Sequence, residues 1–170
     1  MKTIVSALAV AFVATAASAQ ADPRSSQQPE GSQLAAIEFE RGSARLDRGK
    51  DAGFGMIAAW LEENPDGLVV LDGHADPSGP TRGNLKLSFA RAKAVREALV
   101  TVGVDPDHIV IAAFGEGGPA STRDRRVIAW GTRAGMKAIV ARTRAIGPSI
   151  VSTGLISALE MNPRPVVASR

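Results

Sequence analysis

Between Leu34 and Trp130, short apolar runs alternate with longer stretches of helical periodicity, and that alternation decides the fold class. Leu34–Glu40 (LAAIEFE) sets Ile37 and Phe39 against Glu38 and Glu40, the period-two pattern of a half-buried strand. Leu68–Leu71 is a continuous apolar run, as in a buried central strand. His108–Phe114 (HIVIAAF) and Arg125–Trp130 (RRVIAW) read as two further strands. Asp47–Asn64 places Phe54, Ile57, Ala58 and Leu61 on one helical face, with Asp47 as a candidate cap. A second helix is predicted over Asn84–Val102, closed by Gly103. The predicted order is β-α-β-α-β-β, an α/β (α+β) two-layer sandwich with helices on one face of a mixed sheet.

The ends of the chain read differently. Met1-Lys2 is positive, Ile4–Ala16 is apolar or small and uncharged, and Ala17-Ser18-Ala19 has the small-x-small form of a cleavage site. Residues 1–19 are therefore expected to be a signal peptide. The apolar run is shorter than the ~20 residues of a membrane span, and no later segment reads as transmembrane. Residues 20–33 are polar and rich in Ser, Gln and Pro, as a linker would be. The absence of Cys excludes disulfides and a lipid-modified N-terminal Cys. The expectation is an exported, soluble chain in the periplasm or cell envelope. Residues 131–170 form a basic tail, with Arg133, Lys137, Arg142, Arg144, Arg164 and Arg170 against Glu160, a local +5. It suits either simple solvation or a polyanionic or membrane surface. Met136–Ala145 and Ile150–Glu160 are each predicted as short helices, while Pro163 and Pro165 argue against order at the end.

Several function classes lack support. Aromatic residues are only 4% of the chain, which leaves little for stacking nucleic-acid bases. His74, Asp76 and His108 are the only hint of a metal site, and neither Cys nor an H-E-x-x-H pattern supports it. No G-x-S-x-G motif and no Walker loop is present. No enzyme activity, cofactor or metal is expected.

One residue breaks the amphipathic rule. On a helical wheel Leu87, Ala90, Ala94, Val95, Ala98, Leu99 and Val102 share an arc, with Lys86, Lys93, Arg96 and Glu97 opposite. Arg91 lies inside the apolar arc. An unpaired buried guanidinium costs several kcal/mol, so Arg91 is expected to need an anion. Asp76, at the exit of the second strand, is the nearest candidate by topology. Either the two pair with each other, or they face a cleft as a reader of zwitterions. In the second case the carboxylate takes an ammonium and the guanidinium a carboxylate.

The stretch GHADPSGPTRGNLKLSFARAKAV resembles the signature of the OmpA-like C-terminal domain family, the peptidoglycan-binding module. Gly73, His74, Asp76, Gly79, Asn84, Leu87, Ser88, Arg91, Ala92 and Val95 match in spacing. Phe39, Ser43, Leu46, Phe114-Gly115-Glu116, Pro119 and Arg125-Arg126-Val127 resemble further parts of the pattern. The resemblance implies an OmpA-like domain over 34–130. It implies non-catalytic binding of peptidoglycan through the diaminopimelate of the stem peptide. The site it implies comprises Asp76 and Arg91 as the zwitterion grip, Asn84 and Arg125 as further contacts, and Ala75 through its backbone N–H. Ala75 stands where the family has Thr, Asp124 where it has Asn, and Gly42 near a first-loop acid or amide of some relatives. The implied setting is the envelope, with outer-membrane association and an envelope protein as candidate partner. The competing expectation is a periplasmic protein-interaction module that has lost wall binding.

Overall fold

A computed structural model of the chain describes residues 31–47, 49, 52–117, 125–147 and 149–153. The expected signal peptide, most of the linker, the loop containing Pro119 and Asp124, and the end of the tail lie outside them. The elements are β1 (Ser32–Glu38), α1 (Ala52–Glu63), β2 (Leu68–His74), α2 (Thr81–Thr101), β3 (Ile109–Gly115), β4 (Arg126–Thr132), α3 (Met136–Ile146) and β5 (Ile150–Thr153). They form one five-stranded sheet in the order β1-β4-β2-β3-β5. β2 and β3 run parallel, joined through α2, and the other pairs are antiparallel.

Strand alternation sorts the core into two faces. On one, Val69 and Leu71 of β2, Ile109 and Ile111 of β3, and Val127 and Ala129 of β4 meet Phe54 and Ile57 of α1 and Val95 and Leu99 of α2. On the other, Val70, Val110, Ala112, Phe114, Ile128 and Trp130 meet Ile139 of α3. β2 and β3 are therefore buried on both faces, which explains their near-continuous apolar sequences. α2 lies so close to β2 that a Cβ on Gly73 would sit 2.4 Å from the Ser88 carbonyl oxygen. Ser88 completes that seam: its hydroxyl donates to the Leu85 carbonyl and accepts the Gly115 N–H, both at 2.9 Å.

The mixed sheet and the order of its first six elements are as expected, and α1 and α2 share a face. The tail adds what the pattern had not resolved. α3 covers the opposite face, giving a third layer, and residues 150–153, the described part of the segment Ile150–Glu160 expected to be a helix, form an edge strand beside β3 instead. Its leading residues, Ile150 and Val151, are β-branched and suit a pleated surface. α1 is described from Ala52; residues 48, 50 and 51, which join it to Asp47, lie outside the described residues, and so does the cap expected of Asp47. β1 begins at Ser32, inside the expected linker, and ends before Phe39.

The buried face of α2 also differs from the wheel. Its buried residues are Asn84, Ser88, Arg91, Ala92, Val95 and Leu99, whereas Val102 is exposed. The polar Asn84 and Ser88 are core-facing because they bind turn and strand backbone, and hydrophobicity alone misses them. Phe89, at the edge of that face, packs partly buried against the first core.

Candidate functional site

The exits of β1 and β2 and the entry of β4 share one edge of the sheet, since Glu38 and Gly73 pair with Arg126 and Val127 respectively. α2 begins at the same edge. Asp76 follows β2 directly. Its Oδ1 accepts the Ser78 N–H at 3.1 Å and also the Ser78 hydroxyl. Its Oδ2 lies 3.9 Å from Nη1 of Arg125, whose side chain is 44% exposed. The Ser78 hydroxyl and amide, and then Arg41 and Arg125, hold the Asp76 carboxyl below its ordinary range. It is thus fixed as an anion, with positive charge nearby.

Arg91 reaches this edge from below and is fully buried. Nε donates to the Ser43 carbonyl at 2.8 Å, Nη1 to the His74 carbonyl at 3.0 Å and Nη2 to the Glu40 carbonyl at 3.0 Å. The guanidinium also stands 5.5 Å from the centre of the Phe39 ring. Burial lowers its pKa and Asp76 opposes that effect. The odd arginine thus has three backbone acceptors, from the β1–α1 connection and from β2. No Asp76–Arg91 ion pair occurs among the described residues; the carboxylate's charged contact is Arg125. Three of the five guanidinium N–H groups are used, which leaves one on each terminal nitrogen.

Asn84 is buried and works within the fold. Its Nδ2 donates to the Gly79 carbonyl at 3.1 Å and to Glu116 Oε2 at 2.5 Å. Glu116 Oε1 accepts the Thr81 hydroxyl at 2.7 Å. One carboxylate after β3 therefore ties down the start of α2 and the turn that carries Asp76. These hydrogen bonds, Thr81's first, hold Glu116 below the usual carboxylate range. Ala75 donates its N–H to the Gly115 carbonyl at 2.7 Å, so that N–H is spent on β3 rather than turned to the cleft.

The structure brings Asp76, Arg125, Asn84 and the buried Arg91 to one edge, with Ala75 facing inward. Sequence reasoning missed Glu116 as the brace, Ser78 as the anchor of the carboxylate, and Arg41 as its charged neighbour. Glu116 stood in the recognised G-E pattern, but its partners are 32 and 35 residues away. His74 and His108 lie at opposite ends of β2: His108 Nδ1 is 2.9 Å from the Gly67 carbonyl oxygen, before the strand begins.

A model of the OmpA family matches residues 38–128. The chain belongs to the OmpA family. The match runs from the end of β1 into β4, so it contains the whole edge described above and stops before α3 and β5. Among OmpA-family relatives, the peptidoglycan-associated lipoprotein of Rhizobium meliloti (strain 1021) is 31% identical over 88 residues, which cover 52% of this chain and 50% of that protein. The peptidoglycan-associated lipoprotein of Pseudomonas aeruginosa is 41% identical over 54 residues, 32% of each chain. The chain thus spans about half or less of the length of these curated relatives. The C-terminal domain of Helicobacter pylori MotB shares the fold, with TM-score 0.50 and 16% identity over 66% of this chain and 94% of that one. Among the described residues no helix is long and apolar enough to cross a membrane.

Proposed function

We propose that this OmpA-family chain binds peptidoglycan non-covalently and non-catalytically in the cell envelope, through the diaminopimelate of the stem peptide. Asp76 takes the ammonium. Arg125, at the surface, takes the neighbouring carboxylate, and Arg91 joins through the N–H left on each terminal nitrogen. Arg91 is closed from solvent in this structure, so its share of the contact requires the ligand to displace part of that cover. Asn84 holds the turn rather than the ligand. The observation that carries this reading is the fixed carboxylate of Asp76 flanked by guanidinium groups, at a sheet edge beside a helix start. Such an edge gathers polar ligands, and the pairing complements a zwitterion. The names of the lipoprotein relatives support the same ligand.

One observation favours a second reading. All three bonds of Arg91 go to backbone, as they would in a module where the arginine is purely structural and the partner is an envelope protein. Pelleting the chain with purified sacculi separates the two readings. The wall-binding reading expects wild type in the pellet, with Asp76→Ala and Arg125→Ala left in solution. A wild type that stays in solution overturns it.

A further inference from the structure

We propose that Arg41 is a further ligand-contacting residue of this site and that it selects stem peptides carrying a second free carboxylate beyond the zwitterionic end. The inference rests on the peptidoglycan reading above.

Arg41 sits at the corner of a tight turn in which the Ser43 N–H bonds back to the Glu40 carbonyl at 3.1 Å. Gly42 completes the corner at φ +66°, a conformation that favours glycine. Arg91 grips both flanks of this turn through the Glu40 and Ser43 carbonyls. The backbone of Arg41 is therefore positioned by the same guanidinium that holds the exit of β2. The Arg41 side chain is exposed and has no hydrogen bond or ion pair among the described residues. It acts electrostatically on Asp76, as Arg125 does. A Cβ on Gly42 would meet nothing within 4 Å among the described residues.

Among the described residues, the charges that act on Asp76 are all positive. Arg41, Arg91 and Arg125 act on or beside one carboxylate, while Glu116 is taken up by Thr81 and Asn84. A ligand with one ammonium and one carboxylate replaces like with like and leaves that excess standing. A ligand with an additional carboxylate offsets it, and Arg41 is the exposed cation placed to receive it.

The test is calorimetry of the full chain, wild type beside Arg41→Gln, with two probes. One is a diaminopimelate stem tripeptide with every carboxylate free. The other is the same tripeptide with the carboxylates outside the zwitterionic end amidated. Wild type is expected to favour the free peptide by about tenfold, the scale of one charge-assisted contact. Arg41→Gln is expected to bind both with the affinity that wild type shows for the amidated peptide, at unchanged Tm. A variant that keeps the wild-type preference, or a wild type without preference, overturns this inference and leaves the peptidoglycan reading standing. No heat with either probe overturns both.

Discussion

Nη1 of Arg91 donates to the carbonyl of His74 at 3.0 Å, so a side chain from α2 holds the exit of β2. The other two bonds of the same guanidinium hold the Glu40–Ser43 turn. Arg91→Met removes the donor from three carbonyls at once, and the expected loss is on the order of 2–4 kcal/mol in urea denaturation. Arg91→Lys recovers only part of it, because one ammonium cannot span three acceptors set for a planar fork. Midpoints equal to wild type in both variants would show that the bonds add nothing to stability.

Acid should expose His74. Its ring is fully buried and stacked on Phe114, with centroids 5.6 Å apart. Burial, with smaller contributions from Arg126 and Arg142 and with the Gly117 backbone opposing, lowers its pKa from 6.5 to about 4. The unfolded chain therefore takes up this proton near 6.5 and the folded chain only near 4. The neutral ring's contribution is fully present above pH 6.5, falls as pH drops towards 4, and then levels off. Its size is on the order of 3 kcal/mol. His74→Phe is expected to flatten that part of the stability profile, and a variant profile parallel to wild type between pH 4 and 6.5 would contradict it.

The third layer is pinned by an ion pair under α3. Nη2 of Arg142 lies 2.8 Å from Oδ2 of Asp72, which is 1% exposed on the central strand. Burial raises the Asp72 pKa and Arg142 opposes this, so the carboxylate depends on its partner. Arg142→Ala is expected to cost about 3–5 kcal/mol by leaving that charge buried alone. The double variant Asp72→Leu/Arg142→Met is expected at or above wild-type stability, since apolar residues of similar size need no charge compensation. Equal losses in the single and double variants would refute the coupling.

Gly73→Ala tests the β2–α2 seam. The added methyl would lie 2.4 Å from the Ser88 carbonyl oxygen, where backbone rather than a side-chain tip must move. The expected destabilisation is about 1–3 kcal/mol. A thermal midpoint at the wild-type value would mean that the seam yields freely.

The sequence revealed elements whose burial leaves a pattern. β1 came from alternation, β2 to β4 from short apolar runs, and α1 and α2 from helical spacing. Arg91 was correctly marked as out of place on its helix, but its acceptors are carbonyls, and a carbonyl has no sequence signature. The same reason hid the brace at Glu116 and the loss of the Ala75 N–H to Gly115. β5 was misread because a four-residue edge strand is too short for its period to show. The Asp72–Arg142 pair was illegible because its partners are 70 residues apart and meet across a layer that the pattern had not resolved.

The most direct test of the account is calorimetry of the chain with a diaminopimelate stem peptide, wild type beside Asp76→Ala, with Tm measured on both. The account predicts measurable binding by wild type and at least a tenfold loss in Asp76→Ala, which removes the ammonium's charged partner, with the fold retained. Equal affinity in the two, or no binding by a folded wild type, would contradict it.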